Sequence, residues 1–129
     1  MIKKARNHNS ITQFQQLILT AILRLSEAYG VTIRDEVAEL AKPKSISLGA
    51  IYYTLDRLEE RGVVSSWLTS PTAERGHRAK RCYRLEALGE RALQESAATA
   101  KRVRETIAEV WGKEWAKEWE KRWGEEASS

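Results

Sequence analysis

Cys82 is the only cysteine, so the chain cannot form an internal disulfide, and a reducing compartment is expected. Histidine is almost as scarce: His8 and His77 are the only two, and no metal-ligand spacing accompanies them. No glycine-rich loop is present to cradle a phosphate. His77 and Cys82 lie five positions apart with no acid placed between them to orient a base, so Cys82 reads as a small strand residue and not as a nucleophile. Together these absences argue against an enzyme, a bound metal or a cofactor. No apolar run is long enough to span a bilayer. The first ten residues are polar and basic, without the apolar core of a signal peptide. A cytoplasmic protein with no membrane partner is expected.

What is present fits one modest globular domain: 129 residues, 42% hydrophobic and 31% charged. The net charge is +4, and it is unevenly distributed. Residues 1–85 hold 14 Lys and Arg against 8 Asp and Glu, whereas residues 86–129 hold 8 against 10. The basic excess therefore belongs to the first two thirds, which suggests a polyanionic partner for that part.

The stretch from Ile46 to Val64 organises the rest. Ser47 is placed to cap a helix, Ile46 and Ile51 to staple across that cap, and Gly62 to close the helix in the left-handed conformation. Leu48, Ile51, Leu55 and Leu58 make one apolar stripe. The opposite face carries Ser47, Ala50, Tyr53, Thr54, Arg57 and Arg61. It is small at its start, then aromatic, hydroxylic and basic. Such a face suits a helix entering a DNA groove, where small residues permit close approach and Arg and Tyr reach phosphates or base edges. An ordinary amphipathic helix with a solvated face would share much of this pattern.

Upstream, Lys3, Lys4, Arg6 and His8 mark either a frayed terminus or a basic arm along DNA. Ser10 and Gln13 resemble a capping box, and the apolar period from Phe14 to Tyr29 predicts a core helix that Gly30 stops. Val31 and Thr32 predict a brief extended step. A second helix then starts at Thr32, with Ile33, Val37 and Leu40 on its apolar face, and Lys42-Pro43-Lys44 breaks it. Two short helices joined by a tight turn give the helix-turn-helix pattern.

Downstream, Val63–Leu68 and Arg81–Leu85 read as strands, with Tyr83 and Leu85 on one face. Between them the residues are turn formers and bases. Arg75 to Arg84 includes five Lys and Arg and no acid. A hairpin after a helix-turn-helix is a wing. Its Arg75, His77, Arg78, Lys80 and Arg81 are candidate contacts to the phosphate backbone or the minor groove. A solvated basic loop is the plainer alternative.

From Glu86 the pattern is helical to about Trp123, a length of ~50 Å if unbroken. Such a helix must pack on another chain or fold back at Gly112. Leu93, Ala100, Val103, Ile107 and Val110 fit heptad spacing, and Trp111, Trp115, Trp119 and Trp123 then recur every fourth residue. So much apolar area predicts a dimer core, or a wall of an aromatic ligand pocket between subunits. A membrane-surface helix fits less well, because Lys101 to Ser129 holds seven bases and seven acids.

The run Leu48-Gly49-Ala50-Ile51-Tyr52-Tyr53-Thr54-Leu55-Asp56-Arg57-Leu58-Glu59-Glu60-Arg61-Gly62-Val63-Val64 resembles the recognition-helix signature of PadR-type transcriptional regulators. Arg78-Ala79-Lys80-Arg81-Cys82-Tyr83-Arg84-Leu85, with Gly89 shortly after, is similar to their wing strand and the start of the helix that follows. The resemblance spans roughly residues 14–93. It implies a winged-helix homodimer joined through the C-terminal helix, and repression relieved in some members by phenolic or multidrug-like ligands at the dimer interface. The chain departs from the pattern at Glu86, where Thr is frequent, at Cys82, where an aromatic is frequent, and in the tryptophan-rich tail.

The combined expectation is a mainly α fold with a small β-hairpin. Residues 10–86 form a winged helix-turn-helix DNA-binding domain and residues 87–124 a long C-terminal dimerisation helix. The partners expected are an inverted-repeat duplex, a second copy, and a small aromatic effector. Ser47, Ala50, Tyr53, Thr54, Arg57 and the wing bases meet DNA. Val103, Ile107, Val110, Trp111, Trp115 and Trp119 meet the second copy or the effector. A winged-helix module that binds protein instead of DNA is the alternative.

Overall fold

The computed structural model describes residues 10–71 and 79–124. They form α1 (Gln13–Arg24), α2 (Gly30–Leu40), α3 (Leu48–Glu60), β1 (Val64–Leu68), β2 (Arg81–Leu85), α4 (Ala87–Trp111) and α5 (Lys113–Trp119), then a π-helical turn at Glu120–Gly124. The chain divides into two units, Met1–Gln94 and Glu95–Ser129.

In the first unit three helices supply one apolar face each. Ile18, Leu19 and Ile22 of α1, Ile33 and Val37 of α2, and Ile51, Leu55 and Leu58 of α3 bury against one another. The hairpin closes the core with Val64 and Tyr83, and Leu88 and Leu93 of α4 pack against it. Ala92 of the same helix is also buried. A fully buried aliphatic side chain is worth about 1.5–3 kcal/mol, so this shared core sets the placement of α3. Leu40 departs from expectation. It is the last residue of α2, lies outside the buried cluster and is 45% exposed.

The antiparallel hairpin pairs Val64 with Leu85 and Leu68 with Arg81. Tyr83 and Leu85 share a face, as their spacing predicts. Gly62 has φ +77°, the left-handed conformation that ends α3 and turns the chain into the hairpin. Gly89 has a different reason: a Cβ there would run into the carbonyl oxygen of Val63, so only glycine lets α4 start this close to the turn that leads into β1.

Three helix boundaries differ from the sequence expectation. The capping box of α1 is Thr12 with Gln15, not Ser10 with Gln13. Thr12 Oγ1 accepts from the Gln15 N–H at 3.1 Å, and Gln15 Oε1 accepts from the Thr12 N–H at 2.9 Å. The carbonyl of Ser10 is taken by an Arg61 Nη2 donor at 3.0 Å, and Ile11 packs against the core before the helix begins.

Helix α1 also ends at Arg24, well before Gly30. Ala28 and Tyr29 continue the apolar pattern from an extended segment. The Tyr83 N–H donates to the Ala28 carbonyl at 2.8 Å, and Tyr29 bridges to Cys82. Finally, Gly30 opens α2, and Val31 and Thr32 lie in its first turn. Thr32 closes that turn from inside, its Oγ1 accepting from the Tyr29 N–H at 3.0 Å.

In the second unit α4 runs to Trp111, and Gly112 at φ +83° separates it from α5, so the helix expected from Glu86 is broken there. Val110 is 72% exposed, Trp111 62% and Trp119 56%. Val103 is half exposed, and Ile107 is partly buried. The side chains of Trp115 and Trp123 lie outside the described residues. Among the described residues, no helix is long and apolar enough to cross a membrane.

Candidate nucleic-acid interface

Helix α3 presents its outer face to solvent because its other face is spent on the core. Ser47 Oγ accepts from the Ala50 N–H at 3.1 Å and keeps its own O–H to donate. Ser47, Gly49 and Ala50 are exposed, and where a Cβ of Gly49 would stand there is open space. The first turn of α3 therefore offers backbone N–H groups and the positive end of its dipole behind small side chains, a favourable place for an anion.

One turn on, Tyr53 and Arg57 act as a unit. Arg57 Nη1 donates to Tyr53 Oη at 3.3 Å, and the guanidinium carbon lies 5.7 Å from the ring centroid. Tyr53 is 65% exposed, so this pair is the most prominent chemistry on the face. The long cation–π contact and the single hydrogen bond restrain the arginine while leaving its other N–H groups to recognise a phosphate or a guanine edge. Thr54 is half buried beside them. Tyr52, on the neighbouring strip, is turned back over Gly30 at the start of α2.

The wing bases divide. Arg75, His77 and Arg78 lie outside the described residues. Lys80 is half buried at the loop end of the hairpin, with Nζ 3.8 Å from the ring centroid of Tyr29. Thr69 and Lys80 close the hairpin end, the Thr69 N–H donating to the Lys80 carbonyl at 2.8 Å. Arg81 is exposed and donates from Nη1 to Ser66 Oγ at 2.9 Å.

Several contacts beside this face have little counterpart in the sequence pattern. Ser66 Oγ donates to Glu59 Oε2 of α3 at 2.7 Å. On the opposite face of β1, Ser65 Oγ donates to Glu86 Oε2 and accepts from Arg84 Nε at 3.2 Å; Arg84 Nε also lies 3.6 Å from Glu86 Oε2. The Arg84 guanidinium lies 5.7 Å from the Trp67 ring. The available signal was the Ser65-Ser66 pair inside an otherwise apolar strand, which the two-residue period sends to opposite faces. Tyr29, which receives Lys80, carried no such signal.

Burial is the main reason the Tyr83 phenol, beneath this region, has its pKa raised above 10.0; the carboxylates of Asp56 and Glu59 add to it.

Residues 18–95 match the family described as the transcriptional regulator PadR-like family. Three solved structures illustrate the likeness. A PadR family transcription regulator from Clostridium difficile R20291 is 18% identical with a TM-score of 0.61, the match covering 77% of this chain and 99% of that one. A PadR-like transcriptional regulator from Bacillus cereus is 19% identical with a TM-score of 0.63, covering 76% and 90%. Bacillus subtilis PadR, solved in complex with operator DNA, is 23% identical with a TM-score of 0.56, covering 66% and 46%. At these identities the likeness establishes the winged-helix fold. No curated protein matches the chain in sequence.

Proposed function

This chain belongs to the PadR-like family of transcriptional regulators, and from that premise we propose that it is a sequence-specific DNA-binding repressor acting as a homodimer. The observation that carries the reading is the outer face of α3, where small residues lead into the exposed Tyr53–Arg57 pair. Helix α3 enters the major groove. Ser47 and the first-turn N–H groups meet phosphate, Ala50 and Thr54 line the approach, and Arg57 reads a base edge. Arg75, His77, Arg78, Lys80 and Arg81 of the wing follow the adjacent backbone. The operator complex of the Bacillus subtilis relative supports this assignment of partner.

Residues 10–86 serve as the DNA-binding part and residues 87–124 as the dimerisation part. Val103, Ile107, Val110 and the tryptophans Trp111, Trp115 and Trp119 meet a second copy. Two-fold symmetry then makes the operator an inverted repeat with half-sites about 34–36 Å apart. A flat aromatic effector lodging among the indoles relieves repression by changing how the two copies are held. Such a regulator works in the cytoplasm.

Enrichment from a pool of random duplexes by the full chain tests the reading. It predicts recovery of an inverted repeat that binds at least ~10³-fold tighter than unrelated duplex. Recovery of no sequence, with the protein folded, contradicts it.

A further inference from the structure

The hairpin is fastened on both faces by the same three-part device. On one face Arg81, Ser66 and Glu59 form a chain: Arg81 Nη1 donates to Ser66 Oγ at 2.9 Å, and Ser66 Oγ donates to Glu59 Oε2 at 2.7 Å. On the other face Arg84, Ser65 and Glu86 repeat it. Only the first joins the hairpin to α3. Glu59 lies two residues beyond Arg57 on that helix, and Arg81 is the first residue of β2. Among the described residues, no further protein acceptor takes the remaining N–H groups of Arg81.

A carboxylate beside a DNA-binding arginine is costly to affinity on charge alone, because it repels the phosphates. Its presence calls for a compensating role. Ser66 can both donate and accept, so it passes the anchoring from a helix carboxylate to a strand guanidinium. Charge-assisted hydrogen bonds hold both ends of the chain.

We propose that Glu59 and Ser66 are positioning residues, which fix the Arg81 guanidinium at the seam of α3 and the wing so that helix and wing engage one stretch of backbone together. The inference rests on the DNA-binding reading above.

The test uses the full chain and a duplex enriched by the wild-type protein, with affinity measured across salt concentrations and folding checked by thermal melting. Arg81→Ala weakens binding and lowers the salt slope by about one. Glu59→Ala removes a negative charge, yet weakens binding ~3- to 10-fold because the arginine is released. In the Arg81→Ala background the sign reverses, and Glu59→Ala tightens binding. Ser66→Ala weakens binding and Ser66→Thr restores it; this pair decides the matter if Glu59→Ala does not fold. Tighter or unchanged binding by folded Glu59→Ala, or equal affinities for the two Ser66 variants, overturns the proposal while leaving DNA binding intact. Failure of the wild type to enrich any duplex overturns the DNA-binding reading itself, and this inference with it.

Discussion

Arg57 carries the sharpest consequence at the scale of single residues. Its hydrogen bond to the Tyr53 hydroxyl and its long cation–π contact with the ring orient a side chain that would otherwise sample many rotamers. If it reads a guanine, Arg57→Ala lowers operator affinity by about 1–3 kcal/mol and relaxes the sequence preference at one position. Competition against duplexes altered at single positions checks both effects; uniform weakening would make Arg57 a phosphate contact. Tyr83 makes a prediction about pH. Burial, then Asp56 and Glu59, raise its folded pKa above the value of 10.0 that the unfolded chain approximates. The folded state thus holds the phenolic proton more tightly. The associated stability is fully present below pH 10.0 and is lost as pH rises through the folded value. Tyr83→Phe removes this component, so urea unfolding should show a smaller loss of stability above pH 10.0 in the variant than in the wild type. Equal losses would mean that the phenol does not contribute.

Elements were legible where a local signal and the core agreed. Helix α3 shows this best: Ser47 caps it, Leu55 and Leu58 are buried, and Gly62 closes it at positive φ. The hairpin was legible for a similar reason, from two short β-rich runs around polar turn formers. The end of α1 was not, because Ala28 and Tyr29 keep the apolar pattern while pairing with β2, residues distant in sequence. Helical period cannot separate that arrangement from a longer helix. The same limit explains Leu40, whose spacing fits the apolar face of α2 although the core does not extend to it. The outer face of α3 was readable by elimination from its buried face. The serine relays were not, since they depend on cross-strand register and on the reach of Glu59 and Glu86. Leu55 and Leu40 give a direct contrast in stability. Leu55→Ala, fully buried, should cost about 2–5 kcal/mol. Leu40→Ala should stay within about 0.5 kcal/mol. Chemical denaturation of both variants checks the order, and a large loss at Leu40 would require a partner surface over it.

For the whole molecule, the asymmetry of charge and of apolar exposure divides the labour. The basic excess lies in residues 1–85, and the exposed Val103, Val110, Trp111 and Trp119 lie in the second unit. Deleting the chain after Val110 should weaken or abolish the dimer, which sedimentation at several concentrations would measure. A tight dimer of the shortened chain would assign the tryptophans to an effector or another partner, and saturable quenching of their fluorescence by flat aromatic compounds would identify that role. The central claim is that α3 lies in the major groove twice, once from each copy. Methylation interference at guanine N7 on an enriched duplex measures this most directly, because N7 faces the major groove. The expected result is two clusters of interfering guanines about one helical turn apart, and in Arg57→Ala one guanine of each cluster no longer interferes. Binding that is indifferent to N7 methylation everywhere would contradict it.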